Sequence, residues 1–141
     1  VMPFVKKNGM GIMAYGSLSH GLLTGTWTAD KTFGDDDWRR SGANFGISSW
    51  GPENLAANVA VVEKLKVIAG DHGKTIPQLA IAWVLANDAI SVALAGSVTP
   101  AEATENLGGD WEMPDDLRKE IDTLVLSEGS GVGTSGMEIA T

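Results

Sequence analysis

Several short patterns in this chain carry the residue types that anion, dinucleotide or metal chemistry needs. Ser97 precedes Thr99-Pro100-Ala101-Glu102, a capping box with proline at its first helical position. The free amides of such a helix start would point at whatever lies beside Ser97, an arrangement that attracts phosphate or carboxylate. A plain helix cap accounts for the same residues without any ligand, and both readings stay open. Gly9-Met10-Gly11-Ile12-Met13-Ala14 satisfies G-x-G-x-x-A, with Asp30 about 20 residues on. Its context contradicts a dinucleotide fingerprint, because the glycines follow Lys6-Lys7-Asn8 and lead into an apolar run instead of opening a helix. Gly73-Lys74-Thr75 ends like a phosphate loop, yet the required first glycine falls at Ile68, so a helix stop and an N-cap are the plainer reading. Asp35-Asp36-Asp37 is followed at once by Arg39 and Arg40, with no glutamate at an EF-hand spacing, and reads as a solvated loop; no metal site is assigned. His20 and His72 form no H-x-x-x-H pair. His72 is expected at a helix terminus, and His20 falls in a glycine-rich loop.

A few elements must position these groups. Met10 to Tyr15 is short, apolar and bounded by glycine and polar residues, which predicts a fully buried strand. The irregular stretch Gly16 to Gly51 follows, with only Ser19 to Thr24 suited to a short helix; a connection this long is usually functional. From Pro52 onward Leu55, Val59, Val62, Leu65 and Ala69 recur at helical spacing, and Gly70 and Gly73 end the pattern. Thr75-Ile76-Pro77-Gln78 makes another capping box and opens a helix, apolar nearly all round to Ala86, that must be buried. Ile90 to Ala95 predicts a second buried strand, and Thr99 to about Leu107 a short helix. A last helix from Pro114 places Leu117, Ile121, Leu124 and Val125 on one face. Short apolar strands joined by helices argue for a parallel α/β sheet. Residues 1–126 read as the structured domain and 127–141 as a flexible Gly/Ser-rich tail.

Composition narrows the partners. Eighteen acidic side chains against ten basic ones give a formal charge of −8, which disfavours nucleic acid and anionic membrane surfaces. The longest apolar run, Leu79 to Ala86, is far short of the ~18 residues of a membrane span, and nothing near the start reads as a signal peptide. The lack of cysteine excludes a disulfide scaffold and thiolate chemistry and is compatible with the expected cytoplasmic location. The single tyrosine, Tyr15, stands against five tryptophans, and the first residue, Val1, reads as the start of a piece of something longer.

Ala14-Tyr15-Gly16-Ser17-Leu18, His20-Gly21-Leu22-Leu23-Thr24-Gly25, Asp37-Trp38-Arg39-Arg40 with Phe45, and Gly96-Ser97-Val98-Thr99-Pro100 through Glu105-Asn106-Leu107-Gly108 together carry a more specific signal. In combination they resemble the C-terminal part of the aldo-keto reductases, over about residues 3 to 125. The resemblance implies an α/β fold, a partial (β/α)8 TIM barrel of C-terminal βα units plus a terminal helix, with 11–15 and 90–95 as its seventh and eighth strands. It also implies an oxidoreductase that reduces aldehydes and ketones with NAD(P)H seated at the carboxyl ends of those strands. Carried over by position, Tyr15 would stack on the nicotinamide, and Ser17, Leu18, Gly21, Leu23 and Gly25 would line the loop over the pyrophosphate. Ser97, Val98 and Thr99 would meet the ribose phosphate end, and Glu105 and Asn106 the adenine amino group.

Two departures from the family pattern matter. Its basic partners of the 2′-phosphate fall at Gly96 or Val98 and at Glu102, none of them Lys or Arg here. NADP(H) is the family default, but a carboxylate at Glu102 would repel a 2′-phosphate, which makes NAD(H) a serious alternative. The family's catalytic tetrad is expected outside this chain, and no catalytic residue is assigned within it. Tyr15 matches the stacking position, not the proton donor. The chain alone is therefore expected to be inactive, as the cofactor side of a larger reductase. The alternatives are a non-catalytic dinucleotide-binding or regulatory remnant and, more remotely, a rewired helical interaction protein. Open barrel edges make the missing N-terminal half, or a second copy, the expected protein partner.

Overall fold

The computed structural model of the chain describes residues 1–42 and 47–130; Phe45 and residues 131–141 of the expected tail lie outside them. In chain order the elements are α1 (Met2–Lys7), β1 (Ile12–Ala14), 3-10 turns at Ser19–Thr24 and Trp38–Ser41, α2 (Pro52–Asp71), α3 (Ile76–Leu85), β2 (Ile90–Ala93), α4 (Pro100–Leu107) and α5 (Asp115–Glu128). Where a short helix was expected at Ser19–Thr24 the chain forms a kinked pair of 3-10 turns, with His20 and Gly21 at positive φ, whereas α1 and the turn at Trp38–Ser41 have too few residues to show a periodic pattern.

β1 and β2 pair in parallel, with Ile12 opposite Ile90, Met13 opposite Val92 and Ala14 opposite Ala93, and an irregularity between Ile12 and Met13. Parallel pairing requires a crossover, and α2 and α3 supply it. The strands are shorter than predicted, and the expectation that they are fully buried does not hold. Met13 is 64% exposed and Val92 40%, while Ile12 and Ala14 are only half-buried. The reason is coverage: α3 packs against β2, but among the described residues each strand has a hydrogen-bonded strand neighbour on one side only.

The helices hold the core. Pro52 sits in the first turn of α2 with Glu53 beside the positive helix end, and the predicted stripe of Leu55, Val59, Val62, Leu65 and Ala69 is buried. The helix ends in a Schellman pair of bonds, Lys74 N–H to the Ala69 carbonyl and Gly73 N–H to the Gly70 carbonyl, both 2.9 Å. The capping box of α3 forms as predicted, and Ile76, Leu79, Ile81 and Ala82 are buried behind it. Gln78 does more than cap, since its Nε2 also donates to the Glu105 carbonyl at 3.0 Å and so ties α3 to α4. α5 buries Leu117 and Ile121, and Arg118 reaches back to donate to the Ala86 carbonyl at the end of α3 (2.9 Å).

The described structure continues past the expected boundary at residue 126. α5 continues through Ser127 and Glu128, and Ser130 is bonded to α2: its amide donates to Asn58 Oδ1 (2.8 Å), and its carbonyl accepts from Asn58 Nδ2 (2.6 Å). The start of the expected tail is thus held by two buried asparagines, Asn54 and Asn58.

Candidate functional site

Immediately after β1 the chain enters a loop of unusual backbone. Ser19 and His20 both have positive φ (46° and 56°), which is uncommon without glycine and persists only where the surroundings enforce it. The loop is fastened internally by Ser19 N–H to the Gly16 carbonyl (2.8 Å), Leu23 N–H to the Leu18 carbonyl (3.1 Å) and the Thr24 hydroxyl to the Gly21 carbonyl (2.7 Å). Gly21 has φ 111°, and a Cβ on it would lie 3.0 Å from the Trp27 ring and 3.2 Å from Arg39 Nη1. Gly25 has φ 73°, and a Cβ there would meet Ile76 and Lys66 at 2.6 Å. Glycine at these two positions lets the loop lie flat on the residues beneath it.

The second wall is the junction between β2 and α4. Thr99 caps α4 by accepting from the Glu102 amide (3.2 Å), as the capping box predicts. The return bond is displaced by one residue. Glu102 Oε2 accepts from the Val98 amide at 2.7 Å instead of from Thr99. Asn106 Nδ2 donates to the Ser97 hydroxyl at 3.0 Å and fastens the far side of α4 to the same junction. The amides expected to point freely beside Ser97 are therefore partly occupied by the chain's own side chains.

These two walls enclose a cleft of about 730 Å³, within the range of small-molecule and cofactor sites. Of the residues predicted from sequence, Tyr15, Ser17, Leu18, Gly21, Gly96, Val98, Glu102, Glu105 and Asn106 line it. Leu23, Gly25, Ser97 and Thr99 stand behind the lining. Leu23 turns into an apolar hollow of about 360 Å³ beneath the loop, Gly25 backs onto Ile76 and Lys66, and Ser97 and Thr99 hold the α4 junction. The exposed lining of the hollow is largely apolar, whereas the cleft combines an exposed ring, loop backbone, carboxylates and an amide side chain. Among the described residues no three His, Asp or Glu side chains gather as a metal site.

Sequence reasoning missed His20, Trp27 and Arg39 on the cleft wall. Tyr15, at the mouth, is 74% exposed, and His20 lies behind it at 5.8 Å between ring centroids, with Trp38 and Trp50 each 5.1 Å away. Burial among these rings lowers the His20 pKa from its ordinary 6.5, and the nearby Arg39 charge lowers it further. Arg39 is the only lysine or arginine among the described residues that line the cleft. Its guanidinium grips Asp37 through Nε (2.9 Å) and Nη2 (2.6 Å), and these bonds hold the Asp37 carboxyl down at about 2. An Asp-x-Arg spacing beside a glycine-rich loop was the available signal, but read in sequence it looked like a charge-balanced surface run.

The family model described as "Aldo/keto reductase family" matches residues 1–124. The aldo-keto reductase YhdN of Bacillus subtilis is 33% identical over 127 residues, covering 89% of this chain and 37% of that protein. The NADH-specific methylglyoxal reductase of Escherichia coli is 30% identical over 107 residues, covering 76% and 31%. Among solved structures, the glycerol dehydrogenase AKR11B4 from Gluconobacter oxydans superposes with a TM-score of 0.76 at 28% identity, covering 91% of this chain and 38% of that one. The chain thus spans about a third of the length of the curated relatives it matches.

Proposed function

The chain belongs to the aldo/keto reductase family, and on that premise we propose that it forms the dinucleotide side of an NAD(P)H-dependent carbonyl reductase built as a (β/α)8 barrel, with β1 and β2 as its last two strands. The observation that carries this reading is convergence: the loop after β1 and the start of α4, far apart in sequence, close on one cleft. The residues in it fit a dinucleotide. Tyr15 offers an exposed aromatic face, the flat backbone around Gly21 admits a pyrophosphate, and Glu105 with Asn106 offers acceptors to an adenine amino group. A bound nicotinamide would supply the hydride. Tyr15 would stack the ring and shield one face from water, while Ser17 and the loop amides orient the phosphates. The general acid that protonates the carbonyl oxygen comes, in this reading, from a part of the barrel that these residues do not include, and the chain by itself turns over no substrate.

NADH is the preferred cofactor in this proposal. Gly96, Val98 and Glu102 present no cation to a 2′-phosphate, and the Glu102 carboxylate already fills the Val98 amide that an anion would use. The E. coli relative named as NADH-specific is consistent with this choice. Titrating the chain with NADH and NADPH, with intrinsic fluorescence as the readout, tests both statements. Tyr15→Ala is expected to raise the Kd for NADH about tenfold. Glu102→Arg is expected to shift the NADH-to-NADPH preference by about tenfold or more toward NADPH. Failure of both dinucleotides to bind would remove the reading, and an unmoved preference in Glu102→Arg would remove the NADH assignment.

A further inference from the structure

Arg39 bonds to three parts of the molecule at once. Its backbone carbonyl accepts from Trp50 Nε1 at 3.0 Å, and Trp50 is only 2% exposed, so the residue is rooted in the core. Its guanidinium is oriented by Asp37, which also accepts from the Arg39 amide at 3.0 Å. From that fixed position Nη1 donates to the carbonyl oxygen of His20 at 3.0 Å, and the guanidinium lies over the rings of Phe33 (5.2 Å) and Trp27 (5.7 Å). His20 and Ser19 are the two positive-φ residues without glycine's freedom among the described residues, so the bond lands on the strained turn of the loop. Gly21, next along, is what lets Nη1 come this close.

We propose that Asp37 and Arg39 form a latch that holds the 18–25 loop in the shape that receives a dinucleotide, with Arg39 as a positioning residue. The inference rests on the dinucleotide reading of the cleft for its functional consequence, but the latch itself can be tested without any ligand. A fork is needed, not merely a charge, because Asp37 and the His20 carbonyl are held from different edges of one planar group. A lysine cannot hold both.

Hydrogen exchange read residue by residue on the unliganded chain comes first. The latch requires the amides of Gly21 and Leu23 to be protected in the wild type and to exchange much faster in Arg39→Lys and in Asp37→Asn, with the amides of α2 unchanged. Exchange as fast as in an open loop in the wild type, or no change in either variant, overturns it. Where Arg39→Lys loses its helical circular dichroism, Asp37→Asn, which keeps the arginine, carries the comparison. NADH and 5′-AMP are then titrated. The latch predicts a Kd for NADH raised about tenfold or more in both variants, because a charge-assisted bond that shapes the loop is lost. 5′-AMP, which reaches only the Glu105 and Asn106 end, should bind within about twofold of wild type. Normal NADH binding in a variant whose loop exchanges freely overturns the functional half. Failure of the wild type to bind NADH removes the dinucleotide reading and leaves the exchange data to judge the latch alone.

Discussion

Glu102 and Thr99 divide the start of α4 between them, and the division changes what that helix can bind. In an ordinary capping box the glutamate returns to the N-cap amide. Here it returns to Val98, one residue earlier, and places a negative charge where an anionic ligand group would otherwise find a donor. The same kind of local consequence follows at His20. Burial among Tyr15, Trp38 and Trp50 favours its neutral form, so its pKa in the fold lies below the ordinary 6.5. For a group whose folded pKa is depressed, the unfolded chain binds the proton first. The stabilisation is complete above 6.5 and is lost as pH falls through the lower folded value. An NMR titration of the two histidines, assigned with His20→Gln, should find His20 titrating below 6.5, and the chain should lose stability on acidification from neutral pH. A His20 value above 6.5 would contradict the packing described here.

At the scale of elements, what could be read beforehand was whatever the chain encodes locally. Thr75 and Gln78 announce the start of α3, the 3-and-4 spacing from Leu55 to Ala69 announces the face of α2, and both are found as read. Removing the α3 cap with Thr75→Ala should cost about 1 kcal/mol, measurable as a lowered midpoint of urea unfolding; an unchanged midpoint would mean that the box contributes nothing. The misses share a cause. The role of Arg39 depends on a loop carbonyl 19 residues away, and that approach exists only once Trp27, Phe33 and Trp50 have packed. The expectation of buried strands failed for a related reason. An apolar run such as Met10 to Tyr15 records what a strand is suited to, not how many neighbours it has within this stretch of chain. In the site, the glycine loop and the α4 start were legible as separate motifs. That they face one another across a single cleft was not, since nothing local specifies it.

The molecule as a whole combines a helical core with an unfinished sheet. Each strand has a neighbour on one side only among the described residues, and Met13, Val92 and Leu94 are exposed beside those edges. The proposed barrel would account for such edges, and the proposal therefore predicts that the isolated chain self-associates, or becomes monodisperse only when co-expressed with the rest of a family barrel. Size-exclusion chromatography with light scattering reads this directly, and a clean monomer with a cooperative melt would count heavily against the barrel proposal. Among the described residues no helix is long and apolar enough to cross a membrane.

The bonds from Ser130 to Asn54 and Asn58 bear on the order in which the chain assembles. The Asn58–Ser130 contact spans 72 residues, so the entropy of closing that loop must be met before the bonds return anything. Helices form in microseconds or less, and contacts of long sequence separation form late. Attachment of Ser130 to α2 is therefore expected to follow the formation of the helices themselves. During synthesis residues 1–130 would have to leave the ribosome before the Oδ1 atoms of Asn54 and Asn58 could meet Ser130, whereas their Nδ2 groups find Ser48 and Ser49 within a few residues of chain.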